Sequence, residues 1–184
     1  MGLFTSFTMQ PQGVEFEHQE PGEQIILLLR RHAITNVPWI TITLVLFILP
    51  LLVPTILSIT NQNLFFLIPD NFLLIYLLLY YLIVIGYALL SFVLWFYNLG
   101  LVTNYRVIDI DAVNFTSKNV AATAIHDIVD VEYTQRGFLQ NTFDYGNVFM
   151  QTAGTNENFE FDLVPQPAVV ADIVSDLIRE KENG

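Results

Sequence analysis

The sequence predicts a membrane α-helical hairpin joined to a small α+β soluble domain. Three observations carry that prediction. Two long segments lack any Asp, Glu, Lys or Arg, the chain after them alternates apolar with polar residues, and it closes on an amphipathic helical pattern. Of 184 residues, 53% are hydrophobic and 14% charged, whereas charge makes up roughly a quarter of an ordinary soluble domain. The excess is local, so it marks membrane segments and not merely a greasy core.

Residues 1–36 form a polar-to-mixed cytoplasmic lead-in. Its start, MGLFTSFTMQ, has no basic residue and precedes no short apolar run, so it does not read as a cleavable signal peptide. MGLFTS matches the myristoylation pattern M-G-x-x-x-[ST]. Six residues match such a pattern readily by chance, and an unmodified, unstructured or interface-lying start is the favoured reading. The lead-in breaks at Pro21-Gly22 and then runs apolar from Ile25 to Leu29. Five apolar residues have no readable period, so strand and short helix both stay open.

The uncharged runs are Ala33 to Pro69 and Asn71 to Tyr105, separated by Asp70 alone. A bilayer core needs about 20 apolar residues as helix, and residues 37–59 and 72–97 each satisfy that length. Pro50 and Pro54 lie inside the first span; a kink repaired by neighbouring groups is favoured over a functional hinge. Gly86, Ala88 and Ser91 offer a close-contact face on the second. Residues 60–71 form an external loop without cations, whereas Arg30 and Arg31 precede the first span and Arg106 follows the second. The positive-inside rule then places both termini in the cytoplasm of a multi-pass inner-membrane protein. Arg30, Arg31, Trp39, Trp95 and Tyr97 are the expected anchors at the membrane interface.

Residues 98–184 form the soluble domain. Arg106, Ile108 and Ile110 alternate with Asp109 and Asp111; Val129, Val131 and Tyr133 alternate with Asp130, Glu132 and Thr134; Phe159, Phe161 and Leu163 alternate with Glu160 and Asp162. Such alternation marks strands with one buried and one wet face. Turn chemistry at Gly137, at Asp144 to Asn147 and at Ala153 to Asn158 separates them. The spacing suggests a compact antiparallel sheet or small barrel. Pro167 then opens a helix whose stripe is Val170, Ile173, Val174, Leu177 and Ile178.

Several stretches resemble the bacterial pleckstrin-homology (PH) membrane proteins, a family first described as a domain of unknown function. LVTNYRVID resembles its opening l-T-n-x-R-v-i. AIHDIVDVEYTQRGFLQNTFDYGNVFMQTAG is similar to its I-x-d-V…G…f-x-y-G-x-v-x-x-x-T-a-G core. FDLVPQPAVVADIV looks like its closure, and PGEQIILLLRRH like the lead-in g-E-x-i…r-x-H. The likeness spans roughly Pro21 to Ile178. It implies a strongly bent, partly open antiparallel β-barrel of about seven strands, capped by the C-terminal helix. Gly137 and Gly146 would serve turns or bulges, and Phe159, Phe161, Leu163 and the helix stripe would make the core.

Chemistry is sparse in this sequence. Without cysteine there are no disulfides, thiol nucleophiles or zinc–thiolate sites. His126-Asp127 resembles a metal-hydrolase pair, but neighbours on a strand point to opposite faces and His18 and His32 lie far off in sequence. Asp109 and Asp111 share a face, yet two carboxylates are few for calcium. Ser117 and Ser175 have no triad-like setting, and no Gly-rich phosphate loop appears. No catalytic, metal or cofactor-binding residue is assigned, and no cofactor is expected. Residues 98–184 carry five Lys and Arg against 13 Asp and Glu. That balance opposes nucleic acid and disfavours anionic headgroups, for which Arg106, Lys118 and Arg136 are the candidate contacts. The expectation is a non-enzymatic module anchored in the lipid bilayer, serving contact with a membrane-proximal protein or self-assembly into homo-oligomers. Headgroup binding or membrane sensing is the alternative.

Overall fold

The computed structural model describes residues 5–11, 13, 16, 19–59, 70–112, 118–153 and 158–183. The chain divides into two compact units, one of Met1–Thr35 with Leu94–Gly184 and one of Asn36–Val93.

The smaller unit contains α1 (Val37–Ile59) and most of α2 (Asp70–Tyr97). Both helices are long and apolar enough to cross a membrane, and their side chains are mostly exposed. The expected external loop, 60–71, lies outside the described residues except for the first residues of α2, which begins at Asp70. Pro50 lacks an N–H, so the Leu46 carbonyl one turn earlier loses its helical donor. The Tyr80 hydroxyl donates to that Leu46 oxygen at 2.7 Å. Tyr81 donates to the next carbonyl, Phe47 O, at 3.3 Å, and its ring lies 5.1 Å from the Phe47 ring. The proline break is thus repaired from the other helix.

The larger unit holds two antiparallel sheets. The first orders β1 (Phe7–Met9), β2 (Ile25–Arg30), β3 (Leu99–Thr103), β4 (Arg106–Ala112) and β5 (Lys118–Ala124) in sequence. The second orders β6 (Ile128–Thr134), β7 (Tyr145–Thr152) and β8 (Phe159–Pro165). A short helix α3 (Gly137–Thr142) joins β6 to β7, and α4 (Pro167–Asn183) follows β8. The architecture is α+β, with open sheets in place of the expected barrel of about seven strands. The sheets meet through isolated hydrogen bonds and not a ladder: His32 N–H donates to Leu163 O, and Ala153 N–H to Asp127 O, each at 2.7 Å.

The apolar run in the lead-in is a strand. Arg30 pairs with Leu99 and Leu28 with Leu101, so residues before the hairpin share a sheet with residues after it. Residues 1–36 and 98–184 are therefore not separate domains. The run has no period because β2 is buried on both faces, the usual origin of a continuous apolar strand. Leu27 and Leu29 enter the main core with Val102, Val107, Ile128, Val148, Met150, Phe161 and Val164. On the other face, Ile25 and Leu28 join Leu101 and Ile108, with Phe16 and Ile110 packed against them. Val170, Ala171 and Val174 of α4 are buried in the main core, with Ile173, Leu177 and Ile178 packed alongside, as the stripe predicts.

Two faces differ from the alternation. Val107 lies in the main core, which puts Asp109 and Asp111, two and four residues on, along the inward face of β4. Ile108 and Ile110 instead line the outer cluster. In β8, Phe161 and Val164 are buried and Leu163 is only half-buried. A bulge in β8, whose Asp162 and Leu163 both stand opposite Asn147, shifts the register, and Leu163 takes a φ of 51°. Its N–H donates to Asn147 Oδ1 at 3.0 Å. Glycine is required at position 146 because a Cβ there would lie 2.3 Å from Thr134 O.

Replacing Tyr80 with Phe is expected to destabilise the hairpin by about 0.5–1.5 kcal/mol. In a Pro50→Ala background, where Leu46 O regains a helical donor, the same change should cost clearly less. A double-mutant cycle of unfolding in micelles or bicelles checks the coupling.

Candidate functional site

Arg106 opens β4, where the β3–β4 turn returns beside the lead-in. Its Nε and Nη2 donate to the two carboxylate oxygens of Glu23, each at 3.0 Å. Thr103 Oγ1 donates to Glu23 Oε1 at 2.8 Å and the Glu20 N–H to Oε2 at 2.9 Å. Asn104 extends the clasp: its side chain accepts the Gln24 N–H and donates to Gly22 O. Burial acts to raise the Glu23 pKa, yet the bonds from Arg106, the Glu20 N–H and Thr103 prevail and hold it below its ordinary value. The hydrogen bond to Glu23 raises Arg106 in turn. This guanidinium is neutralised by a fully buried carboxylate, which leaves little of its charge for a headgroup.

Of the other two candidate cations, Arg136 stands exposed at the start of α3, and the Lys118 side chain lies outside the described residues. Arg106 shares an open groove of about 270 Å³ with Glu20, Tyr105, His126 and Lys181. Arg136 does not line that groove.

The expected interface anchors have varied settings. Arg30 is buried, its guanidinium 4.2 Å from the centre of the Phe96 ring, and burial lowers its pKa. Trp95 is also buried, and its indole N–H donates to Arg31 O at 3.0 Å. Arg31 pairs with Asp162 at 3.2 Å. Trp39 donates to Asn36 Oδ1 at 2.9 Å, and Tyr97 is exposed.

Asp109 and Asp111 are joined by Glu160 and Asp162 from β8 around an open groove of about 580 Å³. Asn119, Val120 and Ala121 of β5 complete its wall with Asn158 and Phe159. Beside it, Phe161 packs over Gly100, where a Cβ would lie 2.5 Å from the ring. Asn147 Nδ2 donates to Glu160 Oε1 at 2.7 Å and lies 3.3 Å from Asp162 Oδ1. Burial first, then the charges of Asp111 and Asp162, push Asp109 up to about 7, against the opposing pull of Arg31. Glu160 is raised too, by burial and then by Asp162, despite the bond from Asn147. Among the described residues, no three His, Asp or Glu gather closely enough to hold a metal ion. The arrangement suits a cationic side chain with room to approach. The acids of NFEFDL are plain in the sequence, but nothing there shows that β8 faces the end of β4. The partnership of Glu23 with Arg106 is equally hidden.

No family model matches this chain. No curated protein matches it either. Among solved structures it is similar to the crystal structure of a DUF1696 family protein with a pleckstrin-homology domain from Shewanella loihica PV-4. That likeness has 14% identity and a TM-score of 0.36, over 44% of this chain and 70% of the other.

An acid raised in the folded state binds its proton more tightly there than in the unfolded chain, whose Asp titrates near 3.9. Asp109 should therefore lower stability progressively as pH rises from about 4 to about 7. Asp109→Asn is expected to raise the Tm at pH 8 and to change it little at pH 4. Thermal melts across that range check the sign; a variant destabilised at pH 8 would contradict it.

Proposed function

We propose that this chain is a multi-pass inner-membrane protein, with both termini in the cytoplasm. Its PH-like domain is a non-enzymatic module for contact with a membrane-proximal protein or a second copy of itself. The observation that carries this reading is the acid-lined groove beside β5, an edge strand among the described residues. As the last strand of its sheet, β5 presents one row of N–H and C=O groups that an added strand can pair. Asp109, Asp111, Glu160 and Asp162 stand where cationic side chains of such a strand would come. Backbone pairing supplies affinity and charge supplies selection. Membrane anchoring raises the local concentration of partners in the same bilayer, so modest affinity suffices.

Headgroup binding is the weaker reading. Arg106 is engaged by Glu23, and the open groove of about 580 Å³ is lined by carboxylates, which an anionic leaflet repels.

A photo-crosslinking residue in place of Val120, on the exposed face of β5, tests the proposal in intact membranes with the whole chain. It should give a discrete protein adduct or a dimer. Neutralising Asp111 and Glu160 together (Asp111→Asn with Glu160→Gln) should lower its yield about threefold or more, as expected for two partly screened ion pairs. Adducts to lipid alone, or a protein adduct indifferent to these charges and to salt, would count against it.

A further inference from the structure

The connection between β6 and β7 exposes more apolar surface than a soluble domain usually leaves at one turn. Phe138 is 80% exposed, Leu139 57% and Phe143 48%, all on or directly after α3. Residues 135–143, QRGFLQNTF, contain one cation and no acid in a chain of net charge −11. Asp144, the next residue, accepts a hydrogen bond from Gln135 Nε2 at 2.9 Å. The tip is therefore apolar and edged by an exposed arginine, whose charge also acts on Glu160.

Its base is fixed near the place where the chain leaves for α1. The Tyr145 ring stacks on His32 with centroids 5.2 Å apart and planes at 17°. The His32 N–H bonds to Leu163 O. Val37, the first residue of α1, follows His32 by only five positions. Even as 3₁₀ helix at about 2 Å per residue, that connection spans on the order of 10 Å. The residue on which the Tyr145 ring stacks is thus five positions along the chain from the start of α1.

We infer that α3 is a third membrane contact, in addition to the two helices: Phe138, Leu139 and Phe143 enter the headgroup–acyl boundary, with Arg136 among the phosphates of an anionic leaflet. Exposed aromatic and aliphatic side chains bordered by a cation are the composition that partitions there. The inference rests on the reading that α1 and α2 span the membrane. Its consequence is that the acidic domain keeps one orientation towards a leaflet that otherwise repels it.

The chain has no cysteine, so single sites can be spin-labelled without removing others. Labels at Asn141→Cys in α3, Leu78→Cys in α2 and Asp176→Cys in α4 are compared in the full chain, reconstituted in phosphatidylethanolamine–phosphatidylglycerol bilayers. Power saturation with oxygen against a water-soluble nickel chelate reads the depth of each. Residue 141 should favour oxygen, as residue 78 does, and residue 176 should favour nickel. Combining Phe138→Ser with Leu139→Ser should return residue 141 to the aqueous value while circular dichroism shows the fold intact. An aqueous residue 141 beside a lipid-exposed residue 78 overturns this inference alone. An aqueous residue 78 overturns the spanning reading and this inference with it. A residue 141 shielded from both reagents means that protein covers the tip, and also overturns it.

Discussion

The antiparallel pairing of β2 with β3 is the constraint on which the rest depends. Arg30 and Leu99 are directly opposite in that ladder, so their Cα atoms lie about 4.5–5.5 Å apart. Everything between them hangs from what would otherwise be a hairpin turn. The chain leaves the sheet and returns to it at one point, reinforced by Arg30 on Phe96 and by the Trp95 bond to Arg31 O. At the other end of β2, Glu23 holds Arg106 and Asn104 brackets the backbone of Gly22 and Gln24. Removing Arg106 would leave the enclosed Glu23 carboxylate without its charged partner, so the clasp fixes the β2–β3 register as well as the lead-in. The main core depends on the same strand, because Leu27 and Leu29 are completely buried in it.

Burial on both faces of β2 also explains the distribution of charge. With one face of the first sheet committed to Phe16 and the outer cluster, and the other to α4 and the second sheet, the polar residues of β4 have only the open end of the sandwich to occupy. Asp109 and Asp111 sit there with Glu160 and Asp162. Among the described residues Arg31 pairs with Asp162 at the rim of the group, and the charge of Arg136 acts on Glu160. Four carboxylates with so little compensation do not stabilise a fold at neutral pH, as the upward displacement of Asp109 and Glu160 shows. Retaining them makes physical sense if a cation approaches from outside.

Much of this was legible from residues alone, and the gaps have physical reasons. The two long helices were plain because uncharged apolar runs of that length are long enough as helix to cross a bilayer, and α4 because its stripe keeps a 3.6 period. Pro50 showed a break, and the general rule of repair by neighbours is realised by Tyr80. The lead-in was ambiguous because a strand buried on both faces loses its period. Alternation misassigned Leu163 because a bulge in β8 opposite Asn147 shifts the pairing, and it made the face of Asp109 and Asp111 a wet one although Val107 on that face is core, because both faces of the strand are partly apolar. Arg106 looked like a free cation because its partner lies before the hairpin, far away in sequence. Local pattern carries the elements; pairs distant in sequence decide which charges remain available.

A direct test of the central claim is the folding of the domain with and without its lead-in strand. A chain joining residues 5–34 to residues 94–184 through a short flexible linker in place of the hairpin should give dispersed NMR spectra and a cooperative thermal transition. Residues 99–184 alone should give neither, because Leu27, Leu29 and Glu23 are missing from the core and the clasp. A cooperative transition of residues 99–184 at the same temperature, with amide protection across β3 and β4, would contradict the account.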